Sequence, residues 1–246
     1  MTESSTAHQW ARVRPAPPAP PVARRRTEWL APTGLILLSL VPILAGALRL
    51  TELTSGAEVT PDNARFFASP VPVVVHIVAS SVFLVLGALQ FAPSLRRRGW
   101  HRIAGRILVP AGLLSAMSAL WMTLFYDLPT VNGVALLVMR LVFGTAMAAG
   151  IVVAFVAIRR GDIRTHSAWM TRAYAIGLGA GTQVFTFLPW TLLFGAPDEA
   201  THAVLMGAGW VINLAVAEVV IRRRAVRSGG ASRTSGRSGA ASAPLS

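Results

Sequence analysis

"RRRGWHRIAGR", residues 96–106, separates two apolar runs, 70–94 and 106–126. A bilayer core of about 30 Å needs about 20 helical residues to cross it. Both runs are that long, so the arginines mark where the chain leaves an oily layer and turns back into it. Four more runs of the same character stand at 29–50, 132–158, 168–195 and 202–221. In hydrocarbon the backbone must satisfy its own hydrogen bonds, which makes these runs helices. The expected fold is all-α, a polytopic bundle of six transmembrane helices.

Composition agrees. Of 246 residues 53% are hydrophobic and 13% charged, against roughly a quarter charged in soluble domains. The net charge is +13 and every basic residue is Arg. A basic balance can indicate nucleic acid. Here the arginines gather at the ends of apolar runs, so topology accounts for them and no nucleic-acid partner is expected. The same clusters suit anionic headgroups at the cytoplasmic face. The chain has no Cys, which excludes disulfides, thiolate catalysis and Cys-ligated metal centres.

Orientation follows from the alternation of charge. Arg12, Arg14 and Arg24–Arg26 precede the first run, Arg96–Arg98, Arg102 and Arg106 fill the second connection, and Arg159, Arg160 and Arg164 the fourth. Arg222–Arg224 follow the last run. The other connections carry Glu52, Glu58, Asp62, Asp127, Asp198 and Glu199, opposed by Arg65 and by Arg49 at a helix end. Both termini are expected in the cytoplasm of a bacterial cell, with the bundle in its plasma membrane. Residues 1–28 are Pro- and Arg-rich and residues 225–246 Gly/Ser-rich, so both read as disordered cytoplasmic tails around a transmembrane domain at 29–224. Ala45-Gly46-Ala47 resembles a signal-peptidase site, but the apolar run continues through Leu50, longer than a usual signal core.

Ionisable groups in hydrocarbon cost about 2.5–3.5 kcal/mol on the insertion scale, so they mark functional or paired positions. His76, six residues into the second run, lies ~9 Å below its outer end. Arg140 in the fourth run has similar depth, and the two are placed to share an outer polar layer with Tyr126. A carbonyl or Ser80, one turn on, is the plain partner for His76. Glu218 in the sixth run has Arg222 four residues on, a local ion pair. Asn213 lies deeper, and Gln90 and Gln183 add further polar groups. Gly177 and Gly181, in "GLGAGT", and Gly144 with Ala148 have the spacing of close helix packing. No Walker, zinc-protease or serine-hydrolase motif is present, and no metal site is expected.

The opening stretch has a counterpart in "RRGDIRTHSAWMTR", residues 159–172. His101 and His166 begin the third and fifth runs at matching depth, beside Trp100 and Trp169 and followed by Arg106 and Arg172. Interfacial loop residues would look this way. So would two axial ligands of a b-type haem, with Arg106 and Arg172 on its propionates.

The order "HIVASSVFLVLGALQF", "HRIAGRI", "RRGDIRTHSAWMTRAYA", "WVINLAVAE" resembles the prokaryotic membrane proteins grouped as domain of unknown function 2306, over about residues 70–221. The resemblance implies His76, Gln90, His101, Gly105, Arg106, His166, Trp169, Met170, Arg172, Trp210, Asn213 and Glu218 as the marked positions. Where members of that family often carry an Arg midway along the fifth helix, this chain has Gln183. The resemblance implies no reaction. A weaker likeness is to transmembrane b-type cytochromes, which use histidines on alternate helices. The inner pair suits that plan. The outer one does not, since His76 faces Arg140 and only His202 could replace it.

Three readings follow. The sharpest is a redox protein with one haem between His101 and His166, serving a quinone-like carrier. The second is a non-enzymatic binding or transport protein using His76, Arg140, Asn213 and Glu218 for a small anion or proton. The third is a structural scaffold in which polar groups only lock helix register.

Overall fold

The computed structural model describes residues 22–96 and 99–239; the side chains of residues 22–28, 93, 96 and 227–239 are left out of the description. The expected tail residues 1–21 and 240–246, and Arg97 and Arg98, lie outside it. The described residues are helical without strands. Helix α1 is Val22–Thr54, α2 the short Ala64–Ala68, α3 Pro70–Leu89, α4 Pro93–Arg96 and α5 Trp100–Phe125. A 3-10 turn, Thr130–Asn132, leads into α6, Gly133–Arg159; then come α7, Ile163–Gly177, α8, Gly179–Phe194, and α9, Glu199–Gly239. The stretches long and apolar enough to cross a membrane are Trp29–Thr54, Pro70–Leu89, Trp100–Phe125, Thr130–Arg159 and Glu199–Val226.

The fifth apolar run departs from expectation. It is not one helix but α7 and α8, bent by 42° at Leu178. Counted as one broken span, the pair brings the total to six. Gly177, Gly179 and Gly181 surround the bend and lower the cost of leaving the regular helix. One α9 side chain holds both sides of it. Asn213 Nδ2 donates to the Ala175 carbonyl of α7 (3.2 Å), and its Oδ1 accepts from Thr182 Oγ1 of α8 (2.8 Å). The glycines also serve close packing. A Cβ on Gly181 would strike the Leu38 carbonyl of α1, and one on Gly179 the Trp210 ring of α9. A Cβ on Gly144 would lie 2.8 Å from Leu120.

Helices α3 and α6 each pack on both α5 and α7, so α5 and α7 stand diagonally. Where the four meet, Phe83, Leu84, Leu108, Met147, Ile151 and Tyr174 form the core. Tyr174 donates to the Leu84 carbonyl (2.9 Å) across it, over a Gly87 that leaves room for the ring. Outward-facing Leu, Val and Phe side chains cover every span, as helices solvated by lipid require.

Both arginine-rich turns between spans contain a glycine with positive φ, Gly99 at 72° and Gly161 at 78°. Around Gly161 the Asp162 N–H returns to the Ala157 carbonyl (2.9 Å) and the Gly161 N–H to that of Ile158 (3.1 Å). This closes the end of α6. Asp162 then caps α7 by accepting from the Thr165 N–H (3.0 Å).

Candidate functional site

At the end of the bundle with the acidic connections, a cavity of about 540 Å³ is lined by residues from all six spans. His76 enters it from α3, Tyr126 from the end of α5, Arg140 from α6, Gln183 from α8 and His202 with Trp210 from α9. Pro42 of α1 and Arg65 with Phe66 of α2 complete the wall. The expected outer layer of His76, Arg140 and Tyr126 is thus one space.

Its polar groups are fixed by short contacts. The Nδ1 of His76 lies 3.0 Å from the Ser115 carbonyl and 3.2 Å from Ser118 Oγ, both on α5. Ser80 instead turns back to the Ile77 carbonyl (3.2 Å). Tyr126 donates to the Ser69 carbonyl (2.6 Å), which ties α5 to the start of α3. Arg140 reaches toward the end of the bundle, where its Nη2 donates to Asn132 Oδ1 (3.2 Å). That direction matches the lean of helical side chains toward the helix N-terminus. Gln183 donates to the Met206 carbonyl (3.1 Å).

The charges here are not balanced. Arg49 and Arg65 both stack on the Phe66 ring, 4.3 and 4.4 Å from its centroid. Arg49 is paired with Glu52, which Asn63 also holds. Among the described residues no carboxylate pairs with Arg65 or Arg140, and none lines the cavity. Glu199 packs over Gly133 at the start of α6 and does not line the cavity.

The opposite, arginine-rich end is built differently. Arg172 of α7 holds Glu218 of α9 through two bonds, Nε to Oε1 at 2.5 Å and Nη2 to Oε2 at 3.1 Å. It also lies over the Trp169 ring at 4.9 Å. The local Glu218–Arg222 pair expected from spacing is therefore replaced by a pair between helices, made possible because α7 packs against α9. His166 places Nδ1 2.9 Å from the Ala154 carbonyl of α6. His101 occupies the first turn of α5, and Arg106, one turn on, is exposed. Gln90 ends α3, with its backbone N–H on the Leu86 and Gly87 carbonyls. Of the four residues assigned to a haem, Arg172 already has a carboxylate, and the haem reading rests on the two histidines. The polar path through His76, Arg140, Asn213 and Glu218 is not assembled as one. The first two face the cavity, Asn213 clamps the bend, and Glu218 belongs to the far end.

The profile of the family described as "Predicted membrane protein (DUF2306)" matches residues 73–221, more than half of the chain. The chain belongs to this family. No curated protein and no solved structure matches it. The DUF2306 segment supplies His76, Arg140, His202 and Trp210 to the cavity. Pro42, Arg65 and Phe66 come from the chain before it.

Arg65 and Asn132 complete the surroundings of Arg140, and neither was expected as a site residue. The signal for Arg65 was its position as the lone cation inside the acidic connections. Asn132 left no signal, since its role depends on Arg140 reaching back eight residues. Gly105, marked by the family resemblance, meets nothing within 4 Å of an added Cβ, and no contact explains it.

Proposed function

We propose that this protein is a non-enzymatic binding protein of the membrane that admits a small anion to the cavity at its acidic-loop end. One observation carries the reading. Arg140 of the span Thr130–Arg159 and Arg65 of the connection before the second span line a cavity that no carboxylate of the described residues shares. An ionised group within a span, as Arg140 is, costs about 2.5–3.5 kcal/mol on the insertion scale. A ligand that brings negative charge repays this, and a guanidinium with its remaining N–H donors binds a carboxylate or phosphate in a defined geometry. In this reading Arg140 is the primary anchor, held by Asn132. Arg65 adds charge at the mouth, and His76 and Tyr126, tied to backbone carbonyls, shape the wall.

The test is a melting series in mild detergent with acetate, phosphate or sulfate at constant ionic strength. Wild type should melt higher as one of these anions replaces chloride, and Arg140→Leu should not respond. Equal responses in the two proteins, or none in wild type, would contradict the proposal.

The arginine asymmetry further supports a bacterial plasma-membrane location, with the arginine-rich end cytoplasmic and close to anionic headgroups. The chain lacks Cys, so single cysteines report orientation directly. An impermeant maleimide applied to whole cells should label Ser55→Cys and spare Arg164→Cys. The reverse pattern would invert the topology.

A further inference from the structure

The cavity is larger than an inorganic anion needs, and it has two zones. Arg65, Asn132, Arg140 and His202 stand toward the mouth. Beneath them the wall holds Phe143 and Trp210 over the buried Leu84, Met147 and Ile176, with Ser80 and Gln183 as polar groups at similar depth. Phe143 and Trp210 stack with centroids 4.7 Å apart and ring planes 29° from parallel. Gly179, at the break in the fifth span, leaves the room that the Trp210 ring occupies. The break thus positions this shelf. Arg140, Phe143 and Met147 follow one another along α6, so the apolar zone extends about 10 Å below the Arg140 backbone by helical rise.

An inorganic anion at Arg140 would leave that apolar surface to water. A volume of about 540 Å³ is within the range of pockets that enclose whole organic ligands. We infer that the ligand is an organic anion with an apolar, ring-bearing body, its carboxylate or phosphate on Arg140 and its ring against the Phe143–Trp210 shelf. This rests on the proposed anion-binding reading and names the class of ligand within it. The ring adds burial and aromatic contact to the ion pair, and the charge excludes neutral molecules of the same shape.

Calorimetric titration of the full-length protein in mild detergent, with detergent blanks, tests this using phenylacetate, acetate and phenylacetamide. The three differ only in ring and charge. Phenylacetate should bind about tenfold tighter than either of the others, a difference of about 1.4 kcal/mol. Arg140→Gln should erase the preference for acid over amide. Trp210→Leu should erase the preference for phenylacetate over acetate, and Trp210→Phe, which keeps a ring on the shelf and guards against misfolding, should retain most of it. Equal binding of acetate and phenylacetate would overturn the ring-bearing class and leave the anion reading standing. Phenylacetamide binding as tightly as phenylacetate would overturn both, as would no binding by any of the three.

Discussion

The two ends of the bundle use the same residue types to opposite effect. At the arginine-rich end three partly exposed or exposed polar groups close on partners inside the protein, although the Trp100 Nε1 is buried without a hydrogen bond. Arg172 holds Glu218, His166 meets the Ala154 carbonyl, and Asp162 caps α7. At the acidic-loop end two histidines and two arginines line one cavity, and among the described residues no carboxylate pairs with Arg65 or Arg140. A charge that closes on its own protein contributes to assembly. A charge left open toward a cavity costs stability unless a ligand of opposite charge repays it. Residue type alone does not separate the two cases; the partner does.

That comparison can be broken in several places. The largest expected effect is at the shelf and its break. A bulky side chain at Gly181 would meet the Leu38 backbone, which cannot rotate away. Gly181→Val should lower stability by about 1–3 kcal/mol and loosen α1 from α8, read as a lower melting temperature in detergent. An unchanged melting point would show that the helices do not approach as described.

Next comes the arginine-end pair. Its side chains are 28% and 35% exposed, so removing one partner should cost about 1–2 kcal/mol, between the values for surface and buried pairs. The double variant Arg172→Gln with Glu218→Gln should cost less than the sum of the single changes. Additive losses would dissolve the pair.

The histidines sharpen the contrast further. If the arginine end is matched within the protein, His101→Ala and His166→Ala change stability alone, and oxidised and dithionite-reduced spectra of wild type show no stoichiometric Soret band. A Soret band lost with either histidine would make that end a cofactor site.

The smallest effect is at Asp162. Its bonds to Thr165 hold its carboxyl below the usual range. A carboxylate lowered on folding stabilises above its unfolded pKa of about 3.9, and that contribution fades as pH falls through the lower folded value. Wild type should therefore melt above Asp162→Ala near neutrality, and the gap should close on acidification. A gap independent of pH would remove the cap from the account.

The spans were legible because their signal is local. Twenty apolar residues and an alternation of arginine with carboxylate need no knowledge of neighbours, and the outer layer of His76 and Arg140 followed from counting depth along two helices. What required the fold was adjacency. Glu218 has a basic residue four positions on, and nothing in the chain says that α7 brings Arg172 closer. The three glycines around Leu178 carry a packing signal that the structure supports, and the same residues permit the bend that packing spacing alone does not reveal. The cavity, finally, is a property of six segments together, and Arg65 acquires meaning only when α2, packed on α3, brings it to the wall that Arg140 also lines.

The most direct measurement is a crystal structure of the protein with 4-iodobenzoate, read by the anomalous signal of the iodine. The account predicts one strong peak in the acidic-loop cavity near the Phe143–Trp210 shelf, with the carboxylate on Arg140, absent from Arg140→Gln crystals grown the same way. A cavity without signal, or a peak at the arginine-rich end instead, would contradict it.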